Sequence, residues 1–156
     1  MIEIKEIVIS SEKAEICSSI LRALPGWFGI EASIADYIDK VGRMPFYAVF
    51  DCDKAVGFVA IKVHNRFTAE IFVIGVLGDY HRQRIGKRLV EICEMYCKEN
   101  NMEFLTVKTL DASKEDEGYE KTRLFYQSVG FKPLEVLTMH WGADNPCLFM
   151  VKYINL

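Results

Sequence analysis

The sequence predicts an α/β fold class, with a mixed and mostly antiparallel sheet, helices on both faces and a single domain over residues 1–156. Apolar residues alternate in several short segments and recur at helical spacing in others. A strand, helix, strand passage over 70–110 predicts one parallel crossover inside the antiparallel sheet. The length of 156 residues also fits one domain of common size.

The first half of the chain reads as a strand, two helices and three further strands. Residues 2–9 alternate apolar and polar side chains, as a strand does. Ser11 is the expected N-cap of a helix over 12–24, which Pro25-Gly26 ends. A second helix is expected over 31–41. Short polar connections then join three strands of an antiparallel meander, at 46–51, 56–63 and 70–77.

The second half contains two helices and three strands. The clearest helix covers 85–97, and its expected buried stripe is Ile85, Leu89, Ile92 and Tyr96. A helix over 119–129 should end at Gly130. The remaining strands are expected at 104–110, 131–140 and 147–154.

Composition excludes several classes of protein. Hydrophobic residues make up 51% of the chain and the net charge is -3, so the sequence predicts a folded core and argues against a nucleic-acid-binding protein. No segment reaches the roughly 18 apolar residues of a membrane span. The five cysteines have no disulfide spacing, and no secretory signal precedes the first strand, so we expect a cytoplasmic protein.

A metal site is also not expected. Cys93 and Cys97 lie on one helix face without further ligands nearby, which is typical of small buried thiols. The three histidines, His64, His81 and His140, are scattered and form no zinc motif.

The most informative segment is a short polar loop that follows an apolar strand and opens the helix at Ile85. Four cations, Arg82, Arg84, Lys87 and Arg88, lie at the start of this helix. The helix dipole already places partial positive charge there, so cations at this end do not favour stability. They are explained if an anion binds the free backbone N–H groups of the first turn. A solvated basic helix start is the simpler alternative.

The spacing of the loop excludes two common phosphate motifs. A P-loop needs Gly five places before the Gly86-Lys87 pair and Ser or Thr after it, and His81 and Arg88 occupy those positions. The glycines of this region also have the wrong spacing for a dinucleotide fingerprint.

This segment resembles the GNAT (Gcn5-related N-acetyltransferase) superfamily. The family has an apolar strand, here 71–76, followed by the motif Gln/Arg-x-x-Gly-x-Gly/Ala. Gly86 matches the last position, whereas His81 replaces Gln or Arg and Arg84 replaces the first Gly. A second match lies over 124–131, which is similar to the family's Phe-Tyr-x-x-x-Gly-Phe signature.

The resemblance implies the GNAT acyl-CoA acyltransferase fold and acetyl-CoA as the acetyl donor. The diphosphate would bind backbone N–H groups of 82–87, and the pantetheine arm would follow the strand edge near Gly75, where a bulge would give it room. The implied donor-binding residues are Ile74, Val76, His81, Arg82, Gln83, Arg84, Ile85, Gly86 and Lys87.

The resemblance also implies catalytic roles. Tyr126 would give a proton to the departing CoA thiolate, and Glu70 would take the proton of the amine. The N–H group of Ile74 would stabilise the oxyanion. His81 is a second candidate base. Two simpler explanations stay open, since Tyr126 could be a buried aromatic and Glu70 an ordinary charge at a strand end.

The acceptor is expected to be a small-molecule amine or the amine of a peptide or protein. In this family the first two helices bound its pocket, so Trp27 and Phe28 are candidate lining residues, with Glu31, Asp36 and Asp39 as attraction for a cation. A homodimer is compatible with the resemblance. The alternative function is an acyl-CoA sensor without turnover.

Overall fold

The computed structural model describes residues 1–155 and contains a seven-stranded sheet in the order β1-β2-β3-β4-β5-β7-β6. The elements are β1 Ile2–Glu6, α1 Ser10–Arg22, α2 Glu31–Val41, β2 Phe46–Asp51, β3 Lys54–Val63, β4 Thr68–Val76, α3 Ile85–Glu99, β5 Phe104–Leu110, α4 Glu117–Ser128, β6 Lys132–Leu137 and β7 Cys147–Tyr153. A short 3₁₀ turn, Gly78–Tyr80, follows β4.

The predicted fold class is confirmed. Strands β1 and β2, β2 and β3, β5 and β7, and β6 and β7 pair antiparallel. Strands β4 and β5 are parallel, with Thr68 opposite Phe104 and Ile71 opposite Val107. Helix α3 lies between them in the chain and therefore supplies the crossover that the sequence predicts.

Several local predictions were wrong. Strands β1 and β6 each end three residues earlier than predicted, at Glu6 and Leu137. Helix α1 begins at Ser10 after Ile9, and no side chain caps it, so Ser11 is not the N-cap. Helix α4 begins two residues earlier than predicted because the Asp116 carboxylate accepts a hydrogen bond from the backbone N–H of Tyr119. In α3 the burial of Cys93 and Cys97 is confirmed, whereas Ile92 and Tyr96 of the expected buried stripe are only half-buried.

The chain divides into two compact units. The first comprises residues 1–63 and 72–93, and the second comprises 64–71 together with Glu94 and the described residues that follow it. The single domain over 1–156 stays a prediction. None of the helices within 1–155 combines the length and the apolar composition needed to cross a membrane.

The core of the first unit is built from α1, α2 and the strands beneath them. The rings of Phe46 and Phe58 stack there with their centroids 5.2 Å apart. The buried members of this cluster are Ile7, Cys17, Ile20, Leu21, Leu24, Ile34, Val41, Phe46, Ala48, Phe58, Ala60 and Val73. Cys17 belongs to this core, and burial raises the pKa of its thiol to about 12.

Gly75 allows α1 to approach β4 closely. A methyl group at Gly75 would lie 3.1 Å from Cγ2 of Ile20 and 3.3 Å from Cε1 of Phe58. At these distances the Ile20 and Phe58 side chains would have to shift by a few tenths of an ångström to admit a methyl group, so a residue without Cβ suits this point of the strand. Close packing thus gives Gly75 a role other than the bulge that the sequence suggested.

We expect Gly75→Ala to lower the free energy of unfolding by about 1–3 kcal/mol, because the added methyl overpacks the contact with α1. Gly26→Ala is the matched control, since a methyl group there meets nothing within 4 Å. Urea unfolding of both variants measures the difference. Equal stability of the two variants would contradict the tight packing at Gly75.

Candidate active site

The loop that precedes α3 has an unusual backbone. Arg82 and Arg84 adopt positive φ angles of 68° and 61°, in the left-handed region that favours glycine. Gln83 between them does not have a positive φ. Anion-binding nests are built from alternating right-handed and left-handed residues, which turn successive N–H groups toward one side, and the two left-handed residues here fit that pattern. Arg84 occupies the position at which the resembled family has its first Gly, and the backbone explains that preference.

The start of α3 leaves several backbone donors for a ligand. The first hydrogen bond of the helix runs from the N–H of Arg88 to the carbonyl of Arg84, at 3.0 Å. The N–H groups of Ile85, Gly86 and Lys87 therefore precede the first helical hydrogen bond. Arg82, Arg84, Lys87 and Arg88 are all exposed, so their charge adds to that of the free donors. This combination suits an anion.

His81 fixes the other end of the loop. Its Nε2 lies 2.7 Å from the carbonyl oxygen of Val76, and a carbonyl can only accept, so this nitrogen carries the hydrogen. The ring also meets Trp27 edge-on at 5.8 Å. The structure thus places His81 between the end of β4 and the connection between α1 and α2, where it holds the loop in place.

The edge of β4 changes along its length. Its parallel ladder with β5 covers four residue pairs and reaches Ile71 opposite Val107. Strand β4 continues for five residues beyond this pair, to Val76, and those residues include Ile74. This segment is the one that the resemblance assigns to the pantetheine arm.

Tyr80 ties the turn after β4 to the end of β2. Its hydroxyl donates to the Asp51 carboxylate at 2.6 Å. This hydrogen bond, together with the nearby N-terminal amine of Met1, holds the pKa of Asp51 below its usual range. The same hydrogen bond raises the pKa of Tyr80. The contact anchors the 3₁₀ turn that leads into residues 81–84 before α3, here called the anion loop.

Tyr126 lies in the second unit, on α4, and is 4% exposed. Gly130 follows the helix with a φ of 101°, which turns the chain back. Phe131 therefore packs edge-on against Tyr126 with ring centroids 5.6 Å apart, and its N–H donates to the Tyr126 carbonyl. The spacing of the Phe-Tyr-x-x-x-Gly-Phe signature thus follows from this helix end.

Glu70 also lies in the second unit and is 4% exposed. The Nζ atom of Lys108 lies 3.1 Å from its Oε1 and 2.9 Å from its Oε2. Nε2 of His64 lies 2.6 Å from Oε1. Glu70 is therefore a buried, doubly partnered carboxylate rather than an ordinary charge at a strand end.

The candidate acceptor residues on α2 are mostly occupied by local partners. Glu31 pairs with Arg22, and Asp36 accepts from Lys40 at 2.9 Å. Because these two carboxylates are already paired, they would attract a cationic acceptor less strongly than the sequence suggested.

Aromatic rings form a continuous series beside α2 in the first unit. Phe28 meets Tyr37 at 6.0 Å, and Tyr37 meets Phe72 of β4 at 5.3 Å. All three are half-buried. Trp27 and Phe28 thus contact different neighbours, since Trp27 meets His81 after β4 and Phe28 meets Tyr37 of α2.

Sequence reasoning missed His64 and Lys108 as partners of Glu70. The register of β4 and β5 explains the Lys108 contact, because Lys108 lies two residues beyond Thr106, which is opposite Glu70, and alternate residues share one face of a strand. His64 directly follows β3, in the turn that connects β3 to β4. It reaches Glu70 only because this turn is closed. The turn is closed by the His64 N–H bonding the Thr68 carbonyl at 3.0 Å.

A family model describes this arrangement. Residues 43–133 match the acetyltransferase (GNAT) domain, and they include the anion loop, Glu70 and Tyr126. No protein of curated function matches the chain by sequence.

Solved structures share the fold. A protein of the GNAT family from Desulfovibrio desulfuricans is 15% identical, with 99% of this chain and 100% of that chain covered and a TM-score of 0.81. An aminoglycoside 6'-N-acetyltransferase complexed with coenzyme A is 22% identical, with 99% and 98% covered and a TM-score of 0.77. The ribosomal-protein-S18-alanine N-acetyltransferase of Escherichia coli is 18% identical, with 100% and 96% covered and a TM-score of 0.77.

The Tyr80–Asp51 hydrogen bond predicts a pH-dependent stability difference. The folded-state pKa of Asp51 is depressed, so its contribution is present above the unfolded pKa of about 3.9 and is lost as the pH falls through the folded value. Tyr80→Phe should have a lower urea midpoint than the wild type at pH 7. The difference between the two midpoints should be smaller at pH 3. The exposed Tyr153 provides the control, Tyr153→Phe. A difference of constant size would argue against the hydrogen bond.

Proposed function

Because the chain belongs to the GNAT acetyltransferase family, we propose that it is an N-acetyltransferase that moves the acetyl group of acetyl-CoA to a primary amine. The amine attacks the thioester directly while donor and acceptor are both bound. The observation that carries this proposal is the anion loop, with left-handed backbone at Arg82 and Arg84 and free N–H groups at the start of α3.

The residues of the loop fit the diphosphate of acetyl-CoA. Backbone donors from Arg82 to Lys87 would hold the phosphate oxygens, and the exposed guanidinium and ammonium groups would balance their charge. His81 would act by holding the loop against Val76 rather than by contacting phosphate. The part of β4 that extends beyond its ladder with β5, at Ile74 and Val76, would hold the pantetheine amides. Acetyl-CoA supplies the activated acetyl group as a co-substrate.

The reaction asks three things of the protein. An alkylammonium must lose a proton before its nitrogen can attack, and Glu70 is the proposed base for this step. The oxygen of the reacting carbonyl gains negative charge, for which the Ile74 N–H is the proposed donor. The CoA thiolate takes up a proton as it leaves, and Tyr126 is the proposed donor.

The class of the acceptor is inferred from the aromatic rings beside α2. The half-buried series of Phe28, Tyr37 and Phe72 supports an acceptor with an apolar or aromatic part next to its amine. Proteins of this fold act on aminoglycosides and on a ribosomal protein, so we propose a small-molecule amine or a peptide amine as the class of acceptor.

All five cysteines are free thiols, which supports a reducing compartment such as the cytoplasm.

A non-catalytic acyl-CoA sensor is the second candidate. It is favoured by the near-complete burial of Tyr126 and by the two partners that already occupy Glu70. Thiol release from acetyl-CoA distinguishes the two functions, measured with kanamycin, spermidine and a peptide with an N-terminal Ala. Turnover above the blank with any amine supports the enzyme, whereas binding of CoA without thiol release supports the sensor.

Donor binding gives a direct test of the loop. We expect Gly86→Trp to weaken CoA about tenfold or more in calorimetry, because a bulky side chain in the first turn of α3 blocks the approach of phosphate to the N–H groups. Met95→Trp, at an exposed position of the same helix, is the matched control and should bind as the wild type does. Unchanged affinity of Gly86→Trp would remove the loop from the donor site.

Removal of the proposed acid gives a test of the chemistry. Tyr126→Phe should reduce kcat by about 10- to 100-fold with little change in the Kd of acetyl-CoA, since it deletes only the hydroxyl. Circular dichroism and urea unfolding confirm that the variant is folded. Phe125→Leu, at the neighbouring half-buried position, controls for packing. An unaltered kcat would exclude Tyr126 as the proton donor.

A further inference from the structure

Glu70 is held in a way that a lone general base would not require. Its carboxylate is buried, and Lys108 and His64 together approach it with three hydrogen-bonding contacts. One ammonium group is enough to balance the charge of one carboxylate. The imidazole of His64 is therefore an additional partner, and its role needs its own explanation.

The hydrogen bond fixes the protonation pattern of His64. An ionised carboxylate can only accept, so Nε2 carries the hydrogen that lies on the 2.6 Å line to Oε1. In neutral imidazole the other nitrogen then has a free lone pair. Within residues 1–155 the structure gives Nδ1 no partner, and the side chain is 33% exposed. His64 is thus the most exposed side chain of the cluster, ahead of Lys108 at 19% and Glu70 at 5%.

We propose that His64 accepts the proton of the acceptor amine at Nδ1, while Glu70 and Lys108 act as positioning residues that set its tautomer and orientation. The inference rests on the proposed acetyltransferase function and refines its base. The arrangement follows the logic of a carboxylate–histidine pair, in which the carboxylate orients the imidazole and stabilises its charged form without taking the proton itself.

The proton balance is complete without another reactant. Acetylation of an alkylammonium forms a C–N bond, breaks the thioester C–S bond and removes two protons from nitrogen. One proton goes to Nδ1 of His64, which becomes imidazolium next to the Glu70 carboxylate and then releases it to solvent. The other balances the proton that the CoA sulfur takes up.

Other ionisable groups around the cluster do not compete for this role. Lys108 is committed to Glu70 and lies over the Phe149 ring at 5.5 Å. Cys147 is buried, and desolvation is the main cause that raises the pKa of its thiol to about 11, so it stays neutral near pH 7. Arg66, in the same turn as His64, rests on the Phe67 ring and is always charged.

The test compares variants of the full chain by thiol release with whichever of kanamycin, spermidine and the N-terminal Ala peptide is turned over. His64→Gln keeps an amide that can donate to Glu70 but has no basic lone pair. We expect its kcat to fall about 10²- to 10³-fold, because the amide offers no basic nitrogen that could accept the proton of the amine. His140→Gln, at an exposed position of the same unit, is the control.

Chemical rescue distinguishes a base from a residue that only supports the structure around Glu70. Added imidazole should restore part of the turnover of His64→Ala, and it should not restore Tyr126→Phe. If His64→Gln retains the wild-type kcat, or if imidazole has no effect on His64→Ala, the inference is overturned and Glu70 acts alone. If the wild type turns over none of the three amines, the proposed function itself fails, and this inference fails with it.

Discussion

The left-handed backbone at Arg82 and Arg84 is the constraint around which the first unit is organised. Each of these residues costs about 1 kcal/mol or more relative to an ordinary conformation, so the surrounding structure must hold the loop. Three contacts do so: His81 with Val76, Tyr80 with Asp51, and the first hydrogen bond of α3. The cost is understandable if the strained loop exists to present N–H groups to an anion.

The second unit has a different requirement, because it must accommodate the buried carboxylate of Glu70. A buried charge is tolerated when it is paired and hydrogen-bonded, and Glu70 has both through Lys108 and His64. The pairing depends on the short parallel ladder between β4 and β5, because this register places Lys108 beside Glu70. The fold of this unit and the chemistry proposed for it are therefore linked through one strand pair.

Much of the architecture could be predicted from periodicity. The bounds of α2, β2 and β5 and the parallel crossover follow from local patterns of apolar residues. Caps were less predictable. Ser11 has a capping side chain, but α1 starts two residues earlier than predicted and its N-cap is Ile9, whereas Asp116 does cap α4. The partners of Glu70 depend on strand register and on a closed turn. These are tertiary features that no local pattern encodes.

The central claim is that the loop before α3 recognises a diphosphate. Calorimetry of the wild type with CoA and with pantetheine, which lacks the diphosphate and nucleotide, tests this most directly. We predict that pantetheine binds about 100-fold or more weakly than CoA, since even two charged hydrogen bonds of about 1.5 kcal/mol account for such a ratio, and that added salt weakens only CoA. Equal affinities, or no binding of CoA at millimolar concentration, would contradict the claim.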